Sequence, residues 1–140
     1  MKILLPVDGS RYTKRMLGYI AVHDEWLGAK HEYLLFTVVP RLPSRAGAFF
    51  DRATLDEYYA SEADKVLRPA RTFAEKRGWT VRTAQAAGHA AEEIAAHARK
   101  HKPQLIVMGA HGHSALAGAV LGSVTQGVLA RCKLPVLLVR

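Results

Sequence analysis

The sequence predicts an α/β protein built on a mainly parallel sheet, and three observations carry that expectation. Short apolar, β-rich runs alternate with helical patterns along the whole chain. The run at Lys2–Val7 is continuous rather than alternating, as in a parallel strand covered on both faces, and Leu105–Met108 is very apolar. Each gap between runs is long enough for a right-handed crossover.

The elements follow in order. Lys2–Val7 is strand one, closed by Asp8-Gly9-Ser10, with Ser10 placed to cap the next helix. Met16, Leu17, Ile20, Ala21, Trp26 and Leu27 recur at helical spacing, and Gly28 is the expected stop. Glu32–Val39 is strand two. The loop Pro40–Phe50 follows, rich in Pro, Gly, Ser and Arg, and its adjacent Phe49 and Phe50 suit a cover or a partner contact. Asp51–Gly78 has the pattern of a long helix, with a kink or break expected at Pro69. Trp79–Ala86, the least apolar strand, suits a sheet edge. His89–Lys102 is a helix stopped by Pro103, and Leu105–Met108 is a central strand. Gly122-Ser123 opens the last helix, which runs to about Arg131, and Pro135–Val139 is strand five. Tyr58, Tyr59, Phe73 and Trp79 read as core, while His23, His31, His97 and His101 read as surface.

Bulk properties narrow the function classes. The 140 residues fit one domain, 1–140. No apolar run is long enough for a membrane span, and the N-terminus does not read as a signal peptide. The only cysteine, Cys132, excludes an internal disulfide and suits a reducing cytoplasm. The net charge of +8 is spread along the chain and reads mostly as solvated surface, with nucleic acid a minor option.

The chemistry concentrates in two loops that follow strands. One is Pro6-Val7-Asp8-Gly9-Ser10. The other is Gly109-Ala110-His111-Gly112-His113-Ser114, leading to Gly122-Ser123. If strands one and four are neighbours, the loops face each other across the switch point of the sheet, where parallel sheets bind ligands. Glycine lets the backbone approach a ligand closely, and backbone amides can cradle phosphate oxygens. The helix opening at Gly122-Ser123 adds free amides and a positive dipole end. Ser123 and Thr125 add hydroxyls, and His111 and His113 add charge when protonated. Neither GxxxxGK[ST] nor a GxGxxG after strand one occurs. A His-x-His pair without a third ligand does not make a metal site, so no metal ligand is assigned.

The pattern Gly109-x2-Gly112-x9-Gly122-Ser123, with the opening Ile3-Leu4-Leu5-Pro6-Val7-Asp8-Gly9-Ser10, resembles the universal stress protein family in its ATP-binding branch. The resemblance covers the whole chain. It implies a three-layer α/β/α sandwich, adenine nucleotide alpha hydrolase-like, with strand order 3-2-1-4-5. It implies that Pro6, Asp8 and Val38 line a nucleoside pocket. It further implies that Met108, Gly109, Gly112, Gly122, Ser123, Val124 and Thr125 enclose ribose and phosphates; His113 is added from the residues themselves. ATP or another adenine nucleotide is the implied cofactor, with Mg2+ or Mn2+ arriving on its phosphates, and a homodimer through Pro135–Val139 is the implied assembly. Ala110 removes a hydroxyl that members often carry, and His111 and His113 stand where many carry Arg or Lys. The expected role is a stress-response regulatory or signalling module with at most slow hydrolysis and no assigned catalytic residue. The alternatives are a slow ATPase or phosphotransferase, and a basic interaction module independent of nucleotide.

Overall fold

The computed structural model describes residues 1–113 and 117–140. Ser114, the last residue of the second loop, lies outside them. Five strands form one all-parallel sheet: β1 (Lys2–Pro6), β2 (Glu32–Val39), β3 (Thr80–Ala87), β4 (Leu105–Gly109) and β5 (Val136–Val139). Their order across the sheet is β3-β2-β1-β4-β5, so β3 and β5 are the edges. β1 sits between β2 and β4, pairing Leu4 with Leu34 on one side and with Ile106 on the other. The winding direction reverses there, and the loops after β1 and β4 are brought side by side.

Among the described residues five α-helices accompany the sheet: α1 (Arg11–Val22), α2 (Ser44–Gly47), α3 (Arg52–Glu75), α4 (Ala90–His101) and α5 (Ser123–Arg131). Two apolar layers result. Met16, Leu17 and Ile20 of α1 and Ala63, Leu67, Ala70 and Ala74 of α3 bury one face against Ile3, Leu5, Leu35 and Val107. Ala91, Ile94 and Ala98 of α4 and Val128 of α5 bury the other against Leu4, Phe36, Ile106 and Met108. The alternation along β1 explains the continuous apolar run: Ile3 and Leu5 feed one layer, Leu4 the other. No helix among the described residues is long and apolar enough to cross a membrane.

Four local expectations are corrected. α1 ends at Val22 rather than at Gly28. The His23 ring donates to the Tyr19 carbonyl at 2.8 Å, and the chain turns so that Leu27 is buried. Gly28, at φ +73, then opens a short 3-10 turn. Of the kink or break expected at Pro69, the break does not occur: α3 is one helix from Arg52 to Glu75. Proline removes one intrahelical bond, but the packing of Leu67 and Ala70 beside it holds the helix to the sheet. Tyr58 is exposed on α3 rather than in the core. His97 is half-buried, its ring stacked on Phe36 at 4.1 Å and 9°, because α4 lays that face on β2. Burial, with His101 and Lys100 nearby, pushes its pKa down to about 4.

Candidate functional site

A crevice of about 450 Å³ opens beyond the carboxyl ends of β1, β2 and β4. The structure places all eleven residues singled out in the sequence on its wall: Pro6 and Asp8 after β1, Val38 on β2, Met108 and Gly109 on β4, Gly112 and His113 in the following loop, and Gly122, Ser123, Val124 and Thr125 at the start of α5. Strand pairing of β1 with β4 is what brings residues a hundred positions apart into one wall.

Asp8 is held from one side only. Its Oδ1 accepts from the Ser10 amide and from the Thr13 hydroxyl, each at 2.9 Å, and its own amide donates to Thr13 Oγ1 at 3.1 Å. Its Oδ2 has no hydrogen-bond donor among the described residues and faces Gly112. A β-carbon at Gly112 would stand 2.6 Å from that oxygen, so only glycine leaves the carboxylate where it is. The two loops are also tied directly: the His113 ring donates through Nε2 to the Asp8 carbonyl.

The opposite wall is the start of α5. Gly122 caps it without a side chain, and the first intrahelical bond is Gln126 N–H to the Gly122 carbonyl. The first-turn amides of Ser123, Val124 and Thr125 thus have no hydrogen-bond acceptor among the described residues and lie at the positive end of the helix. The glycine amides themselves divide differently from the expectation. Gly122 N–H is committed to the Ala110 carbonyl at 2.8 Å, and a β-carbon there would press on His111 Cα at 3.1 Å and Ala110 O at 3.3 Å. This glycine lets the helix start close to the loop after β4 rather than offering a donor. Thr125 differs in the same way. It is 2% exposed, and its hydroxyl is shared between the carbonyls of Gly109 and Ala110, each at 3.2 Å. That hydroxyl latches α5 to the loop, and Ser123 is the hydroxyl of the turn with no hydrogen-bond partner among the described residues.

The remaining wall is apolar at its floor, with Pro6, Phe36, Val38, Ile94 and Met108. Such a floor suits a planar, weakly polar ring, with the open amides and Asp8 Oδ2 set for the polar parts of the same ligand. Among the described residues no group of three or more His, Cys, Asp or Glu could hold a metal ion. Thr13, Thr37, Glu62 and Val66 also line the crevice and were not singled out in the sequence. Thr13 had a signal, since it is the hydroxyl residue one turn into the helix behind Asp8. Glu62 and Val66 reach the site from α3, half the chain away, and sequence spacing carries no trace of that.

This arrangement agrees with the comparisons with known proteins. The family model described as universal stress protein family matches residues 1–140. The chain belongs to the universal stress protein family. Universal stress protein MJ0531 of Methanocaldococcus jannaschii is 29% identical over 140 residues, covering 99% of this chain and 81% of that protein. Among solved structures, hypothetical protein MJ0577 superposes with a TM-score of 0.81 at 29% identity, covering 99% of this chain and 94% of that one. A universal stress protein in complex with cAMP has a TM-score of 0.65 at 23% identity, covering 100% of this chain and 96% of its own. One from Archaeoglobus fulgidus in complex with dAMP has a TM-score of 0.65 at 20% identity, covering 100% and 98%. At those identities the last two show the shared fold.

Proposed function

We propose that this universal stress protein binds an adenine nucleotide, with ATP the favoured ligand, and acts as a nucleotide-dependent stress-response or signalling module in a reducing cytoplasm. The 140 residues act as one nucleotide-binding domain. The observation that carries the reading is the crevice itself: the uncapped first turn of α5 faces the free Oδ2 of Asp8 across an apolar floor. The base lies on Val38, Pro6 and Met108, and Asp8 Oδ2 accepts from a ribose hydroxyl or the base. The phosphates sit against the amides of Ser123, Val124 and Thr125 and beside Gly109, Gly112 and His113. That neighbours of the same fold are in complex with cAMP and dAMP supports the class of ligand. A divalent ion, Mg2+ or Mn2+, enters on the phosphates rather than on a protein cage.

Hydrolysis is slow or absent in this account. Phosphoryl transfer needs a group that positions the nucleophile and a held metal. The crevice offers Asp8, whose Oδ1 already accepts two hydrogen bonds, with Glu62, His111 and His113 on the same wall. It has no lysine among its lining residues, and no group of three or more acids and histidines among the described residues could hold a metal. The edge strand β5, with half-buried Val136, Leu137 and Leu138, supplies a self-pairing surface for a homodimer. The test of the ligand is mass spectrometry of small molecules released from freshly purified protein, followed by melting with and without ATP. Release of an adenine nucleotide, or a melting point raised by ATP, is the expected result. An empty protein whose melting point does not move at millimolar ATP removes the proposal.

A further inference from the structure

We propose that the loop between β2 and α3 docks on the surface of an anionic bilayer, with Phe49 and Phe50 entering the interface and Arg41, Arg45 and Arg52 facing the lipid phosphates. Phe49 is 86% exposed and Phe50 51% exposed, two adjacent phenyls standing out from the protein. Neither lines the nucleotide crevice, whose wall takes only Pro40 from this loop, so they are not a lid on that site. The crevice leaves them unexplained, and the proposal does not depend on what the crevice holds.

Charge selects the partner. Residues 40–50 contain no acid, and Arg41, Arg45 and Arg52 are exposed and ion-paired with no described residue. Asp51, the first acid after the phenyls, spends Oδ1 on the Thr54 amide as the cap of α3. Asp56 and Glu57 begin a turn further along α3. Arginines flanking exposed aromatics match a surface of phosphate headgroups over an apolar layer.

The backbone also fits entry into a medium poor in water, where unpaired amides are costly. The amides of Gly47, Ala48, Phe49 and Phe50 are all paired inside the loop, to the carbonyls of Pro43, Ser44, Ala46 and Gly47 at 3.0 to 3.3 Å. The incoming arm is braced by the Leu42 amide donating to the Tyr59 hydroxyl on α3 at 3.0 Å. A protruding aromatic tip whose amides from Gly47 to Phe50 are already paired needs no shaped pocket in its partner. A fluid interface meets that condition better than a preformed protein groove. The contact is peripheral.

The test is co-sedimentation of the full chain with vesicles of phosphatidylcholine alone or mixed with phosphatidylglycerol, at low salt. The wild type is expected to pellet with the mixed vesicles and to stay in solution with phosphatidylcholine. Phe49→Ser/Phe50→Ser should lower the partition coefficient at least about tenfold, and each of Arg41→Gln and Arg45→Gln about fivefold. In Phe49→Trp, the emission difference from wild type should shift to the blue only with the mixed vesicles, which separates insertion from a folding defect. No pelleting overturns the proposal, as does a serine variant that pellets like the wild type. Lipid-free self-association that the serine substitutions abolish also overturns it, because the phenyls then cover a second copy of the chain.

Discussion

Replacing Gly112 by alanine probes the site at the point where its two loops meet. The added methyl would stand 2.6 Å from Asp8 Oδ2, which must retreat by about 0.8 Å to reach the 3.4 Å of an ordinary contact. The carboxylate cannot pivot freely, because Oδ1 is pinned at 2.9 Å by the Ser10 amide and the Thr13 hydroxyl. Either one of those bonds breaks or the loop after β4 shifts away from the crevice. A hydrogen bond to a charged group contributes ~1.5–3 kcal/mol. Loss of such a bond between the displaced Oδ2 and the ligand corresponds to a rise in the ATP dissociation constant of about 10- to 100-fold. Titration calorimetry on Gly112→Ala, Asp8→Ala and the double variant measures this. In the Asp8→Ala background the methyl has room, so Gly112→Ala should add little, a strongly non-additive cycle. Unchanged affinity in Gly112→Ala, or losses that simply add, would show that the carboxylate and the glycine do not work as a unit.

Three further outcomes follow from the same geometry. Thr125→Val should lower stability by ~1–2 kcal/mol and Thr125→Ser should recover most of it, read from thermal melts, because the hydroxyl bridges the Gly109 and Ala110 carbonyls. His97 should make stability fall with acid. Its folded pKa of about 4 lies below the ordinary 6.5, so the unfolded chain binds more protons in between; the contribution is complete above about 6.5 and is lost as pH drops towards 4. The loss is at most ~3 kcal/mol, and His97→Phe should flatten that part of a denaturant-stability profile against pH. Lys102→Gly should stabilise by ~0.5–1 kcal/mol in chemical unfolding, because Lys102 caps α4 in the left-handed region at φ 49, which costs a side chain and not glycine.

The sheet was legible because its signal is local. Apolar, β-rich runs marked most of the strands, the less apolar β3 was marked by its place between Gly78 and Gly88, and the bounds of β2 at Glu32–Val39 match residue for residue. The strand order was implied by the family resemblance rather than by spacing, and the pairing of β1 with β4 puts the two loops together. What sequence did not carry is where polar atoms spend their bonds. Glycine at 122 looks like an amide donor in a motif, yet its N–H goes to the Ala110 carbonyl. Thr125 looks like a ligand hydroxyl and is a latch. His97 shares a helix face with Ile94 and Ala98, so its burial had a periodic trace, but its partner Phe36 is sixty residues away. Pro69 shows the reverse failure: a strong local breaker overruled by packing along α3. Glu62 on that same helix reaches the crevice only because α3 lies against β2 and β3.

The most direct test of the account is calorimetric titration of ATP into nucleotide-free protein. Saturable binding at one site per chain, with micromolar-to-millimolar affinity and abolished by Gly122→Val, is the result the crevice predicts. The absence of any saturable heat at millimolar ATP, with AMP and cAMP equally silent, would contradict it.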